Sequence, residues 1–400
     1  MTMRDVGIVM PVYLQKPSYL QEAIQTILNQ TYTDFRFIIV IDGVTEQMGP
    51  QIRQLTSHDK RVEILENDRN MGVSASLNRG FEPLFEDPDI RYVTWVSSDN
   101  RTHPYFIELL RHELVLAPEE VGLVYSCFRE IDGEGRPLRD EAFQEEFRRY
   151  QDKPKEELLD VCIVGVSFMY KSSYARKING YHMEPVEDYE YWLRLSDLCD
   201  MRYIPVELVE YRVDSDFSIS ARLKGSIEQH RRWRHAFRLA KMQARRRKNI
   251  PLETTIYFPV TEASEKLPER LDQLLDQYYS NYQVIVVDVT SGQRAPDLLR
   301  DIKDPLLSFR SFPGADPVKA VCACLEELTT PFASVMYREK DFEYMDLQIL
   351  SNALRAAPEG TLSVSYNSSR SDLAYRFDPQ AGMPSTELFL SARLKELLLR

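Results

Sequence analysis

One pattern occurs twice in this chain, and it restricts the possible folds more than any other feature. A short apolar run from Ile8, a helical segment and a second apolar run ending at Asp42 return from Thr255, and the second series ends at Asp288. The proline that interrupts the first apolar run is also repeated, since Pro11 has its counterpart in Pro259. A shared pattern with matching turn residues predicts two copies of one domain type.

Each copy alternates strand patterns with helix patterns, which predicts an α/β fold. The runs VGIVMPVY and FRFIIVID are nearly continuous in apolar residues, as expected of strands buried on both faces. Strands of this kind form a mostly parallel sheet flanked by helices. Ligands of such sheets bind beyond the carboxyl ends of the strands, where Asp42 and Asp99 are expected.

The two copies are joined by a strongly basic segment. Residues 1–220 form the first predicted domain, 221–250 a basic helical linker and 251–400 the shorter second domain. The stretch from Arg231 to Lys248 carries most of the basic charge of this linker segment. The default expectation for such a helix is a solvated charged face, although peripheral contact with a membrane also fits.

Composition excludes several classes of protein. A formal net charge of −12 over 400 residues disfavours a nucleic-acid surface. Five scattered cysteines suggest reduced thiols, and no apolar segment is long enough for a signal peptide or a membrane span. These features together predict a cytoplasmic protein.

Five landmarks in the first 220 residues occur in a fixed order: IVMPVY, IDG, NMGVSASLNRG, SSDN and EDYEYWLRL. In this order the sequence resembles family 2 glycosyltransferases of the GT-A fold. The resemblance implies transfer of a sugar from a nucleoside-diphosphate donor, such as a UDP-sugar, to an acceptor hydroxyl. It also implies inversion at the anomeric carbon and a divalent metal on the pyrophosphate.

The resemblance assigns a set of residues to the nucleotide. Asp42 resembles the carboxylate that accepts the imide N–H of a uracil, although an Asp-Gly pair is also a common turn. The nucleotide-binding residues implied in this way are Pro11, Val12, Tyr13, Asp42, Asn70, Gly72 and Ser98.

Asp99 is the predicted metal ligand. The family pattern is Asp-x-Asp, and here the triplet is Ser97-Ser98-Asp99, so the first acid is missing. One carboxylate with substrate phosphates is sufficient for Mg²⁺ or Mn²⁺, with Asn100 and His103 close enough in sequence to assist. The alternative is an ordinary turn or N-cap aspartate.

Asp188 is the predicted catalytic base, because it matches the aspartate of the family's Glu-Asp motif. Glu187 precedes it at the start of an amphipathic helix. Like-charge repulsion between adjacent carboxylates raises a pKa toward the range useful for a base. Acidic residues are also common at helix starts for structural reasons.

Three residues are assigned to the acceptor and pyrophosphate side. Gly165 lies before a predicted strand, Arg212 is expected to reach the pyrophosphate, and Trp233 is placed to cover the acceptor. Trp233 ends a Q-x-x-R-W sequence, a pattern of processive polysaccharide synthases. A linker helix with one buried tryptophan explains the same letters.

The second copy keeps Asp288 but is expected to be inactive. Its counterpart of the metal loop reads MYREKDFEY, where Arg338 and Lys340 would compete with a cation. No Glu-Asp helix follows, so the copy is interpreted as a degenerate, non-catalytic module that serves as an acceptor platform, an oligomer surface or a partner dock.

The sequence as a whole therefore predicts a metal-dependent, inverting glycosyltransferase of surface polysaccharide or glycan biosynthesis. A non-catalytic scaffold that binds nucleotide-sugars or glycans is the alternative. A nucleotidyltransferase is disfavoured, because PVYLQKPSYL is not a glycine-rich triphosphate loop.

Overall fold

A computed structural model describes residues 4–43, 48–213, 225–336, 342–368, 370–378 and 387–399. The chain forms two compact units, residues 1–240 and 241–400. The division lies inside a helix of 21 residues, Ile227–Arg247, within the segment that the sequence predicts as a linker. Within the described residues, no helix combines the length and the apolar character needed to cross a bilayer.

The first unit is built on an eight-stranded sheet of order β3-β2-β1-β4-β7-β6-β8-β5. Its strands are β1 Val6–Val12, β2 Phe35–Asp42, β3 Val62–Asn67, β4 Tyr92–Trp95, β5 Arg101–Thr102, β6 Val121–Ile131, β7 Phe168–Lys171 and β8 Asp200–Arg212. The first four strands in this order are parallel, whereas β7 is antiparallel to both of its neighbours. The predicted α/β class is confirmed, with a sheet that is parallel on one side and mixed on the other.

Helices and strands alternate from β1 to β4, and the order is less regular after that. The helices are α1 Pro17–Leu28, α2 Met48–Thr56, α3 Val73–Glu86, α4 Phe106–Leu116, α5 Glu141–Gln151, α6 Ser172–Ala175, α7 Glu187–Leu195 and α8 Ile227–Arg247, with a 3-10 turn at Lys155–Leu159. Helix α1 begins at Pro17, whose fixed φ suits a first helical position. Its apolar side chains pack into the core against β1 and β2, which are buried along almost their whole length.

The second unit has a seven-stranded sheet of order β11-β10-β9-β12-β15-β13-β14. Its strands are β9 Thr254–Val260, β10 Tyr282–Asp288, β11 Leu307–Ser311, β12 Phe332–Val335, β13 Ser363–Asn367, β14 Asp372–Arg376 and β15 Glu387–Leu390. Its helices are α9 Leu267–Leu275, α10 Ala295–Leu299, α11 Pro317–Leu325, α12 Asp346–Arg355 and α13 Ser391–Leu398. The first four strands in space are parallel and the next is antiparallel, the same arrangement as in the first unit.

A buried glutamine marks the same corner in both units. The Gln30 side-chain amide donates to the carbonyl of His103 at 2.8 Å, and its oxygen accepts from the Ile107 amide at 3.0 Å. In the second unit, Gln277 donates to the carbonyl of Phe342 at 3.3 Å and accepts from the Leu347 amide at 3.5 Å. The sequence correspondence between Gln30 and Gln277 is therefore also a correspondence of contacts.

Each unit also has an acid before its first strand that is bound by a tyrosine and an arginine. Asp5 accepts hydrogen bonds from Tyr32 and, through both oxygens, from Arg111. The counterpart is Glu253, which accepts from Tyr279 and Arg355. Burial raises the pKa of Asp5, but the hydrogen bonds from Arg111, Tyr32 and Arg91 outweigh it and hold the pKa below its usual value.

The basic helix α8 differs from the expected solvated one. Four of its cationic side chains, Arg234, Arg238, Lys241 and Arg245, are each at most 6% exposed. Their spacing of four, three and four residues places them on one face of the helix. Since charged groups are seldom buried without partners, this face is a packed surface. Arg232, Arg246 and Arg247 are exposed, so the expected solvated charge is found on only part of the helix.

Candidate functional site

The predicted nucleotide residues lie at one edge of the first sheet. Strands β2, β1 and β4 are neighbours, with Val12 paired to Ile41 and Val9 to Trp95. Their carboxyl ends therefore meet at one edge, where Asp42 ends β2 and Ser97, Ser98 and Asp99 follow β4. At the end of β1, Pro11 is half-buried and Val12 is buried, while the Tyr13 side chain is 43% exposed.

Asp42 fixes the loop between β3 and α3. One carboxylate oxygen accepts from the Asn67 side chain at 2.7 Å and from the Met71 amide at 2.8 Å, and the other accepts from the Gly72 amide at 2.9 Å. The side chain is almost fully buried. Both oxygens are thus bonded within the chain, so the contact that the geometry supports is with this loop. Contact with a base stays a prediction.

Gly72 is a position that only glycine fits. Its φ is +91°, and a Cβ atom there would lie 2.7 Å from Oε1 of Glu184. The same oxygen accepts a hydrogen bond from the Ser74 amide at 2.8 Å, at the start of α3. Asn70, which is exposed, accepts from the Gly72 amide at 3.0 Å. Glu184 therefore caps α3 from a distant part of the chain.

Sequence reasoning missed Glu184. It lies three residues before Glu187, in the same acidic stretch that was assigned to the base. Nothing in that stretch distinguishes it, because its partners lie 110 residues away along the chain.

Glu187 and Asp188, the acid pair that contains the predicted catalytic base, are the first two residues of helix α7. Glu187 is 7% exposed, and its Oε2 atom has no hydrogen-bond partner among the described residues. Burial, followed by the charges of Asp188 and Glu184, raises the pKa of Glu187 to about 8. Asp188 is half-buried and accepts from the Tyr189 amide at 2.6 Å, and burial raises its pKa as well. The environment that a base requires is present at these two residues.

Aromatic side chains connect α7 to the basic helix. The ring of Tyr189 stacks on Phe237 at 4.2 Å between centroids, and Phe237 stacks on Trp233 at 4.7 Å. Trp233 is half-buried. The residue proposed to cover the acceptor is thus joined through two stacked rings to the residue that follows Asp188.

A second aromatic contact series fixes the other side of α7. Trp192 is fully buried and packs edge-on against Phe168 on β7, at 4.5 Å. Phe168 in turn contacts Trp95, the last residue of β4, at 5.8 Å. The base helix and the strand that leads to Asp99 therefore share one packed cluster.

Arg212 does not occupy the predicted position. Its side chain is fully buried, and its guanidinium donates to the Asp132 and Gly133 carbonyls at 2.9 and 2.8 Å and to Glu22 at 2.8 Å. It also donates to the backbone carbonyl of Asp99 at 3.0 Å. A guanidinium with no exposed surface cannot reach a pyrophosphate, so Arg212 instead supports the segment of Asp99 from beneath.

The candidate metal position consists of one acidic side chain. Asp99 is half-buried, and the oxygen of the Asn100 side chain accepts from the backbone amide of Arg212 at 3.1 Å. His103 is exposed, and its ring nitrogen accepts from Tyr105 at 3.4 Å. No group of three metal-binding side chains occurs in the described part of the chain. This donor set fits an ion whose other ligands are phosphate oxygens and water, but not a closed protein site.

Gly165 lies between the 3-10 turn and β7. Its φ is +68°, and a Cβ atom would lie 2.5 Å from the ring of Phe128. Glycine is therefore required here by backbone conformation and by packing. Ser98, at the end of β4, is half-buried.

The second unit has a different arrangement at the same edge. Asp288 ends β10 and accepts from the backbone and side chain of Thr290, at 2.9 and 2.6 Å, and from the Ala295 amide at 3.2 Å. All three donors belong to the segment that follows directly, so Asp288 caps its own loop. The predicted inhibitory residues Arg338 and Lys340 lie outside the described residues.

The model of glycosyl transferase family 2 matches residues 7–178. An uncharacterized glycosyltransferase of Methanocaldococcus jannaschii is 27% identical over 224 residues, which is 55% of this chain and 74% of that protein. Glycosyltransferase GlyA of Streptococcus pneumoniae is 31% identical over 130 residues, which is 32% of this chain but 18% of that protein.

Among solved structures, similarity is distant. A mannosyltransferase from Pyrobaculum calidifontis, solved in complex with GDP-Man and Mn²⁺, has a TM-score of 0.45 and 12% identity. The alignment covers 88% of this chain and 81% of that one.

Proposed function

Because residues 7–178 are a family 2 glycosyltransferase domain, we propose that this chain moves a sugar from a nucleoside-diphosphate donor to an acceptor hydroxyl, with inversion. The observation that carries the proposal is the buried acid pair Glu187–Asp188, whose pKa values are raised, in a unit whose strand ends gather the predicted donor residues. A structural helix start has no need of a buried, unpartnered carboxyl oxygen.

Asp188 acts as the base. Burial raises the pKa of both carboxyls, and the two adjacent groups titrate as a pair, so one proton is readily held between them. The acceptor oxygen forms its bond to the anomeric carbon while the bond to the diphosphate oxygen breaks. The acceptor proton passes to Asp188. A raised pKa makes Asp188 a stronger base than an exposed aspartate.

The donor lies along the carboxyl edge of β1, β2 and β4. Tyr13 offers an exposed aromatic face at the end of β1 for the base. The loop that Asp42 holds presents Asn70 and Gly72, and Ser98 borders the diphosphate. Asp42 itself acts mainly by holding this loop in place, since both of its oxygens are already bonded to it or to Asn67.

Asp99 would hold Mg²⁺ or Mn²⁺ together with the diphosphate of the donor. When bound, the ion neutralises negative charge that develops on the leaving diphosphate. Arg212 contributes by fixing the backbone at Asp99. Because the chain supplies one carboxylate, we expect the ion to bind weakly unless a nucleotide is present.

The acceptor enters on the side of Gly165 and Trp233. Trp233 is half-buried and is linked by stacked rings to the start of α7, which places an aromatic surface beside the base helix. A sugar hydroxyl of a surface glycan is the proposed acceptor, since aromatic surfaces suit the apolar faces of sugar rings.

The second unit is proposed to be non-catalytic. Among its described residues, no helix begins with a pair of adjacent acids as α7 does. The unit repeats the strand order of the first without its base.

Calorimetry and a transfer assay test the proposal together. Wild-type protein should bind UDP in the presence of Mn²⁺, and Asp99→Asn should weaken that binding while UDP alone binds both proteins equally. A panel of nucleotide-sugars should include at least one that is hydrolysed or transferred. Binding without turnover of any donor would favour the scaffold, and absence of nucleotide binding would contradict both readings.

A further inference from the structure

One short segment of the first unit contacts both the loop proposed for the nucleotide and the helix proposed for the base. This connecting segment, residues 180–186, leads directly into α7. Within it, Glu184 accepts the Ser74 amide at 2.8 Å at the start of α3. The same carboxylate lies against the Cβ position of Gly72. The connecting segment therefore joins two parts of the proposed site that are far apart along the chain.

Asn78 attaches the connecting segment to α3 at a second point. Its side-chain amide donates to the carbonyl of Tyr181 at 2.8 Å, and its oxygen accepts from the amide of the same residue at 2.6 Å. The ring of Tyr181 stacks on Tyr191 of α7 at 4.0 Å between centroids and lies 5.8 Å from the ring of Phe81 on α3. The hydrogen bond at Glu184 thus belongs to an interface in which α3, the connecting segment and α7 are packed together.

The second unit shows that a helix in this place does not need an acid from elsewhere in the chain. Helix α11 occupies the place of α3 there, and its N-cap residue, Asp316, accepts the Lys319 amide at 3.0 Å. A local aspartate is the ordinary cap of a helix. The N-cap residue of α3 is Gly72, which has no side chain that could accept a hydrogen bond. The first unit instead takes its capping carboxylate from the segment that leads to the base.

We propose that Glu184 is a positioning residue that holds the donor loop and the start of α7 in one fixed arrangement. This role rests on the glycosyl transfer proposed above and requires no contact between Glu184 and either substrate. Asp42 holds the loop from the side of β2, through the Met71 and Gly72 amides, and Glu184 holds it from the side of α7. Without Glu184, the donor and the base should both remain present but lose their mutual alignment, on which the rate of transfer depends.

Hydrogen exchange of the full chain without ligand tests the coupling separately from activity. Glu184→Ala should speed exchange of the Ser74 amide on the order of tenfold, because this amide loses a charged acceptor. Exchange should also rise several-fold at Glu190, whose amide donates to the Val186 carbonyl in the first turn of α7. Glu184→Gln should leave both rates near those of wild type, since its amide oxygen can accept the same hydrogen bond.

Steady-state kinetics measure the consequence for transfer. Glu184→Ala should lower kcat about tenfold and also raise the donor KM, because both the base and the donor loop are displaced. Glu184→Gln should recover most of kcat. Glu184 is exposed, so neither substitution opens a cavity in the core.

Asp316→Ala is the matched control, because it removes a cap of the same kind from α11. It should lower the melting temperature about as much as Glu184→Ala does, speed exchange at Lys319 and leave kcat and KM at their wild-type values. The proposal is wrong if Glu184→Ala speeds exchange only near Ser74, or if its kinetic constants equal those of Asp316→Ala. A wild type that turns over no donor would instead contradict the proposed function, and exchange at Glu190 would still decide whether Glu184 couples the loop to α7.

Discussion

The two units share a frame of strands and differ at the edge where the donor site is proposed in the first unit. Both have four parallel strands in the same order, a buried glutamine at the same corner and an acid held by a tyrosine and an arginine. In the first unit Asp42 holds a loop that begins 25 residues away, whereas Asp288 in the second caps the residues next to it. The same frame of strands thus carries different contacts at the strand ends, long-range in the first unit and local in the second.

The largest expected difference concerns catalysis. Asp188→Asn should lower the rate of transfer by roughly 10²–10⁴-fold, because the acceptor loses its base. UDP affinity should stay unchanged. Asp288→Asn, in the second unit, should leave the rate at the wild-type level. Steady-state kinetics with the best donor of the panel measures both variants, and equal losses would show that the units share the chemistry.

The acid–arginine contacts should differ in their contribution to stability. Asp5 is 2% exposed, so Arg111→Met leaves a buried carboxylate with a weaker set of donors, at a cost of about 2–3 kcal/mol. The Arg355–Glu253 pair is 42% and 19% exposed, and Arg355→Met should cost about 1 kcal/mol. All three tryptophans lie in the first unit, so urea unfolding followed by tryptophan fluorescence reports on that unit. Hydrogen exchange reports on the second, and equal losses would contradict the difference in burial.

Gly72 lies between β3 and α3, and Gly314 lies at the corresponding place between β11 and α11, so the two glycines separate backbone strain from side-chain collision. Gly72→Ala should destabilise the first unit by roughly 2–3 kcal/mol, since it combines a positive φ with contact against Glu184. Gly314 also has a positive φ, of +69°, but no atom of the described residues lies within 4 Å of its Cβ position. Gly314→Ala should therefore cost about 1 kcal/mol, from strain alone. Adding Glu184→Ala to Gly72→Ala should recover part of the lost stability. Urea unfolding followed by tryptophan fluorescence measures the first unit, and hydrogen exchange measures the second.

A further expected difference concerns the pH dependence of stability. The pKa of Glu187 is about 8 in the folded protein and near 4.5 when unfolded, so the folded state binds more protons between these values. Stability should fall as pH rises from about 5 to 8 and then level off, as the buried carboxyl is forced to ionise. Glu187→Gln should reduce this slope, leaving the part that the raised pKa of Asp188 contributes, and should raise the melting temperature more at pH 9 than at pH 5.

Local patterns were sufficient to predict much of this molecule. Continuous apolar runs located β1 and β2, because such runs depend on neighbours within a few residues. One raised pKa was expected at Glu187 and Asp188 from repulsion between adjacent carboxylates. The pKa of both groups is raised, and burial is the main cause, which the sequence does not show directly.

The misplaced residues depend on partners distant in sequence. Arg212 was assigned to a pyrophosphate, but its acceptors belong to three other segments that enclose it. Glu184 was overlooked because it caps a helix that starts near Ser74. The four cations on one face of α8 were expected in solvent but are buried. The expectation failed because their burial follows from packing, which a helical period does not reveal.

The collision at Gly72 has a consequence for related sequences. A carboxylate at position 184 occupies the volume that any side chain at position 72 would need, and it also satisfies the start of α3. The glycine is therefore harder to replace while the acid is present than after the acid has been lost. Relatives that substitute the glycine should have shortened or replaced the acid as well, so the two positions should covary in an alignment although they lie 112 residues apart.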